Sequence, residues 1–196
     1  MSSARERREW LTDSPGKVEL AGSKALLIGA GAIGGLIKTR LAAFDVAVTT
    51  VRRTPDADDL GPDTWRARLG EFDWVILAVP ATSETDGMIG ADELAAMKPT
   101  ATLINIARGS VIDQVALIDS LTNKTIGAAF LDVMTPEPLP PEHPLWTTPN
   151  AHITMHLSGR AQDKMYVRSA ERFLDNLNRW HCGEPLLHQV DLVRGY

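Results

Sequence analysis

Short, continuous runs of apolar and β-branched residues occupy 24–28, 46–51, 74–79, 102–106, 126–131 and 151–154. Strands buried on both faces read this way, because neither face leaves room for alternating polar residues. Between these runs, 33–44, 91–97 and 113–121 carry apolar residues at helical spacing. The segment 64–69 predicts a short helix and 160–180 a long amphipathic one. Strands alternating with helices require right-handed crossovers, so the pattern predicts an α/β fold built on a doubly wound parallel sheet. A polar helix with Trp10 as its anchor is predicted over 3–11, followed by the breakers Pro15 and Gly16. Between 135 and 149, Pro136, Pro138, Pro140, Pro141, Pro144 and Pro149 force an extended loop suited to a lid or active site. The expected organisation is a lead-in over 1–23, a main domain over 24–181 and a tail over 182–196.

The junction between the first strand and the first helix reads LLIGAGAIGGL over 26–36, a G-x-G-x-x-G pattern with Gly29, Gly31 and Gly34. Gly29 permits the tight turn, Gly31 carries no side chain to hold a pyrophosphate off the backbone, and Gly34 lets helix pack on strand. The helix N-terminus, including Ala30, Ala32 and Ile33, then presents free N–H groups and a positive dipole end to the phosphates. A Rossmann-type dinucleotide-binding domain is the expectation. Eighteen positions beyond Gly34, where such folds meet the adenosine ribose, stand Arg52, Arg53 and Thr54. A guanidinium fork suits a 2′-phosphate that a carboxylate would repel, so NADP(H) is expected over NAD(H).

Composition narrows the function further. The 196 residues are 44% hydrophobic and 23% charged, ordinary for a globular chain, with a net charge of −5 that gives no polyanion-binding signature. Arg5, Arg7 and Arg8 are interleaved with Glu6 and Glu9, so nucleic acid is not an expected partner. No apolar run approaches membrane-spanning length and none follows the early arginines as a signal peptide would, so a cytoplasmic protein without a membrane partner is expected. The single Cys182 excludes an internal disulfide. His152 and His156 lie four apart, but along a strand running into a loop they would be separated by roughly 13 Å, too far for one ion. No metal site is expected.

From Leu77 onward, LAVPATSETDGMI, LINIARGSVID, LDVMTPEPLP and PNAHITMHLSG follow one another in an order and spacing that resembles the D-isomer-specific 2-hydroxyacid dehydrogenases. The resemblance extends over about 10–196. It implies hydride transfer between a nicotinamide cofactor and a 2-oxo or D-2-hydroxy acid, of the glyoxylate or hydroxypyruvate reductase kind. Carried onto this sequence, the family's carboxylate-binding arginine is Arg108, its acid–base histidine is His156, and the carboxylate partnering that histidine is Glu137. The same resemblance puts Asp132 near the nicotinamide carboxamide and Val79, Pro80, Thr85, Ile106, Ala107 and Ser158 along the cofactor. Two departures stand out. Met155 precedes His156 where the family more often has proline, and the family's substrate domain of about a hundred residues, a typical domain size, has no counterpart ahead of Gly29. A truncated chain, a partial gene product or a natural relic is the corresponding expectation, with 183–196 resembling the segment that returns to that domain. The competing expectation is an NADP-binding and dimerising module without turnover of its own. Either way a homodimer is expected, with Met165, Val167, Phe173, Leu174 and Leu177 packing partly on the domain's own sheet and partly on the partner.

Overall fold

The computed structural model describes residues 7–8, 10, 19–160 and 164–192. Apart from Arg7, Arg8 and an exposed Trp10, the expected lead-in helix and the breakers behind it lie outside the described residues, as does the end of the tail. Six strands form one sheet: β1 (Lys24–Ile28), β2 (Ala47–Val51), β3 (Trp74–Leu77), β4 (Thr102–Asn105), β5 (Ala128–Leu131) and β6 (Ala151–Ile153). Every pairing is parallel, in the order β2-β1-β3-β4-β5-β6. The helices are α1 (Ala32–Ala42), α2 (Ala91–Ala96), α3 (Gln114–Thr122) and α4 (Met165–Cys182), with 3-10 turns at Arg66–Glu71, Gly109–Val111 and Pro144–Trp146.

Side-chain alternation along the strands divides the core between two faces. Leu26 and Ile28 of β1, Val75 and Leu77 of β3 and Leu103 of β4 meet Leu69, Leu94, Leu117 and Leu121 on one side. Ala25, Leu27 and Ile76 meet Ile37 and Leu41 of α1 on the other. A strand covered on both sides has no polar face, which is why the apolar runs were continuous. Strand ends fall within two residues of the expected positions. β3 stops at Leu77 rather than 79: the Ala78 N–H still donates to the Ile28 carbonyl at 2.8 Å, but Pro80 has no N–H with which to continue the ladder.

The long helix departs from expectation. It ends at Gly183, whose φ of +69° closes the helix in the left-handed conformation that glycine adopts without strain. None of its described residues is buried, and Phe173, Leu174 and Trp180 are exposed, so its apolar face does not pack on the domain's own sheet. No described helix is long and apolar enough to cross a membrane.

Two adjacent glycines in α1 differ in what surrounds them. A Cβ on Gly34 would lie 2.0 Å from the Gly29 carbonyl oxygen, whereas one on Gly35 would meet nothing within 4 Å. Gly34→Ala is therefore expected to lower the unfolding free energy by about 1–3 kcal/mol through overpacking. Gly35→Ala should leave it unchanged or raise it by up to about 1 kcal/mol through helix propensity. Urea unfolding without cofactor measures both, and equal effects would contradict this packing.

Candidate functional site

β1 lies between β2 and β3, so the chain leaves it toward one side and crosses back to the other. The carboxyl ends of β1 and β3 then border a crevice where open α/β sheets take ligands. Gly29 turns the chain there at φ +99°, and a Cβ on it would stand 2.5 Å from the Ala78 oxygen. Gly31 is different, because a Cβ there would enter open space. The helix behind it has no side-chain cap and no acidic residue in its first turn, whereas Asp113 caps α3 through the Val115 and Ala116 N–H groups. A concave turn with an open glycine and uncapped helical N–H groups fits a dinucleotide pyrophosphate.

A cleft of about 390 Å³ opens from this turn, within the size range of small-ligand sites. Gly29, Ala30 and Gly31 line it together with Arg52, Arg53, Val79, Pro80 and Thr85; Thr54 is exposed and does not. Gly34 is buried beneath the turn. A second cleft joins Gly31, Ala32 and Ile33 to Val79, Pro80, Ile106, Ala107 and Arg108, so the described site runs across the sheet from the end of β2 to the end of β4.

Beyond β4 the chain is shaped by a buried polar residue that sequence reasoning passed over. Asn105 is 1% exposed. Its Oδ1 accepts from the Ala107 N–H and its Nδ2 donates to the Arg108 carbonyl, both at 2.9 Å, so one side chain folds the turn that presents Arg108. Gly109 fits this turn against the next loop, since a Cβ would lie 2.0 Å from the Met134 carbonyl carbon. The signal in sequence was an asparagine inside an otherwise apolar run. Trp65 was also missed: it is buried in the cleft wall with the Arg66 guanidinium 4.3 Å above its ring.

Asp132, buried at the end of β5, accepts from the Thr154 hydroxyl at 2.6 Å, from the Leu157 and Ser158 N–H groups at 3.1 and 3.0 Å, and from the Ser158 hydroxyl at 2.5 Å. Its own carbonyl accepts from the His156 N–H at 2.6 Å. Burial opposes ionisation of this carboxyl, but the donors outweigh it and hold its pKa below the usual carboxylate range. The residue therefore shapes the 154–158 segment, and Ser158 is one of its partners. Met155 and His156 both take positive φ, +54° and +57°, in a turn closed by the Leu157 N–H on the Thr154 carbonyl at 3.1 Å. Left-handed backbone at both central positions marks a primed turn. Proline, fixed near φ −65°, cannot take the conformation of Met155.

This turn brings His156 Nδ1 to 2.8 Å from Glu137 Oε2. The other carboxylate oxygen, Oε1, accepts from the Met134 N–H at 2.9 Å, so the glutamate is anchored to the loop after β5. Burial works against the Glu137 charge; the His156 hydrogen bond, the Met134 N–H and the neighbouring Arg108 charge outweigh it and depress its pKa. Met134, Pro138, Leu139, Trp146, Met155 and Arg160 line a pocket with the pair. His152 instead stacks on Phe130, with ring centroids 4.4 Å apart. No group of three or more potential metal ligands is found among the described residues.

Comparison with known proteins gives a consistent picture. The family model for the D-isomer specific 2-hydroxyacid dehydrogenase NAD binding domain matches residues 1–158. The glyoxylate reductase of Korarchaeum cryptofilum is 36% identical over 175 residues, covering 86% of this chain and 52% of that enzyme. A D-isomer specific 2-hydroxyacid dehydrogenase from Xanthobacter autotrophicus Py2, solved with NADPH and MES, superimposes with a TM-score of 0.86 at 34% identity, covering 100% of this chain and 81% of that one. An NADPH-dependent glyoxylate/hydroxypyruvate reductase from Sinorhizobium meliloti, solved with NADP and sulfate, gives 0.86 at 27% identity, covering 100% and 63%. The chain spans about half the length of the curated relatives it matches.

The depressed pKa of Asp132 makes its contribution to stability pH-dependent. A carboxyl whose folded pKa is lowered stabilises the fold fully above its unfolded value, about 3.9, and loses that contribution as pH falls through the folded value. The difference in unfolding free energy between wild type and Asp132→Asn should hold steady from pH 7 to about 5 and shrink below about 4. Denaturant titrations across that range measure it, and a pH-independent difference would exclude this role.

Proposed function

Because the chain belongs to the D-isomer-specific 2-hydroxyacid dehydrogenase family, we propose that it supplies the NADP(H)-binding and proton-transfer part of a 2-oxo acid reductase. The observation that carries this reading is the 2.8 Å imidazole–carboxylate contact of His156 and Glu137 on the strand edge that also bears Arg108 and the open glycine turn. When bound, the nicotinamide cofactor supplies the hydride. Gly29, Ala30, Gly31 and the N-terminus of α1 would hold its pyrophosphate, with Arg52 and Arg53 meeting the 2′-phosphate. Val79, Pro80, Thr85, Ile106 and Ala107 would wall the groove.

Arg108 clamps the carboxylate of the 2-oxo acid through paired charged hydrogen bonds and so fixes the adjacent carbonyl. With Nδ1 engaged by Glu137, the Nε2 nitrogen of His156 is the one left for the substrate. In reduction it gives its proton to the carbonyl oxygen as that oxygen takes on alkoxide character; in oxidation it takes the proton back. Glu137 stays ionised and keeps the ring oriented. Small 2-oxo acids such as glyoxylate and hydroxypyruvate are the proposed substrates, by likeness to the relatives named for them.

NADPH oxidation by this chain with glyoxylate, hydroxypyruvate and a bulkier aryl 2-oxo acid tests the reaction, and calorimetry with NADPH and NADH tests the cofactor. His156→Ala should reduce turnover at least about 100-fold while leaving the NADPH Kd nearly unchanged. A variant with normal turnover would remove His156 from the chemistry.

The exposed apolar face of α4 supports a second reading, a nucleotide-binding and dimerising module without turnover of its own. On that reading Phe173, Leu174 and Trp180 are covered by a second copy. Light scattering should then report a dimer at micromolar concentration, and Leu174→Glu with Trp180→Glu should shift it toward monomer. A clean monomer at high micromolar concentration would reject the dimer.

A further inference from the structure

Three arginines line the cleft beside the glycine turn, and each already has a carboxylate partner. The partnerships differ in how costly they are to leave. Arg52 Nε lies 3.1 Å from Asp59 Oδ2, and the Asp59 side chain is only 6% exposed. That carboxylate also accepts from the hydroxyl of the buried Thr50 and, at 3.4 Å, from the Asp56 N–H. Arg66 Nε lies 2.7 Å from Glu93 Oε1, a side chain 16% exposed whose other oxygen accepts from the Gly90 N–H at 3.0 Å. Withdrawing either arginine would strand a largely buried carboxylate without its countercharge, which is strongly unfavourable.

The third pair, Arg53 Nη2 with Glu84 Oε2, is built differently. It joins the loop after β2 to the loop after β3 across the mouth of the cleft, with the side chains 52% and 69% exposed. Neither side chain has another hydrogen bond or ionic partner among the described residues. An exposed ion pair of this kind is weak and screened by salt, and a carboxylate released from it passes directly into water.

We propose that Glu84 is a specificity-determining residue that occupies Arg53 in place of the cofactor's 2′-phosphate. The inference rests on the NADP(H) reading above and divides the two arginines that reading treats alike. Arg53 is the exchangeable receptor, released from Glu84 to fork onto the phosphate, while Arg52 is held by Asp59 as part of the loop. Glu84 competes with the 2′-phosphate but has no such quarrel with a cofactor that lacks one. It therefore lowers the selectivity for NADPH over NADH below what the arginines alone would give.

The test is calorimetric titration of this chain with NADPH, NADH and adenosine 2′,5′-bisphosphate, for wild type, Glu84→Gln, Arg53→Gln and Arg52→Gln. Circular dichroism checks that each variant is folded. Glu84→Gln should raise the ratio of NADH to NADPH dissociation constants about 2- to 5-fold at low salt, as expected for removing one exposed charge pair. It should tighten adenosine 2′,5′-bisphosphate by a similar factor, and both gains should vanish near 0.5 M salt, where the screening length is only about 4 Å. Arg53→Gln should abolish the preference for NADPH. An NADPH preference in wild type that Glu84→Gln leaves unchanged, or that disappears in folded Arg52→Gln but survives in Arg53→Gln, would overturn the proposal while leaving the NADP(H) reading intact. Equal wild-type affinities for the two cofactors would instead overturn the NADP(H) reading, and the role of Glu84 with it.

Discussion

Six strands paired in parallel must all end on the same edge of the sheet, and that constraint assembles the site. The glycine turn follows β1, the arginines follow β2, Glu84 follows β3, Arg108 follows β4, Glu137 follows β5 and His156 follows β6. Gly31 and Arg108, far apart in the chain, line one cleft because each leads away from the carboxyl end of a strand. The order β2-β1-β3 then opens a crevice at the point where the connections of the described strands diverge to opposite sides.

The edge alone would leave six loops free to choose their own shapes. Two buried polar side chains fix the ones that carry Arg108 and His156. Asn105 spends both halves of its amide on the turn around Arg108, and Asp132 collects donors from Thr154, Leu157 and Ser158 around His156. Burying such groups is favourable only when their partners are present. Each loop therefore gains a preferred geometry from the penalty attached to leaving that polar group unsatisfied.

The strands were legible in the sequence because burial on both faces produces apolar runs that little else imitates. The glycine turn was legible because Gly29 and Gly34 answer to backbone contacts that reject a Cβ, and such contacts restrict the residue type to one. Glu137 and His156 were found through family likeness; nothing in their spacing announces a pair. The packing of α4 was misjudged, since an amphipathic pattern reports that a helix has something to bury but not what it buries it against. Asn105 was overlooked for a related reason: hydrogen bonding to a turn two and three residues away leaves no periodic trace. Arg52 and Arg53 looked equivalent as adjacent letters, and only the burial of Asp59 against the exposure of Glu84 separates them.

The left-handed backbone at Met155 has a consequence for how this sequence can change. Proline and methionine are not interchangeable at that position through a single codon-sized step, because the φ of +54° lies far outside the range of a pyrrolidine ring. Adopting proline would demand that the closing bond from Leu157 to Thr154 and the donors to Asp132 be rearranged together. The neighbourhood of the histidine is thus an epistatic unit, in which the tolerated residue at 155 is decided by the shape the whole turn has already taken.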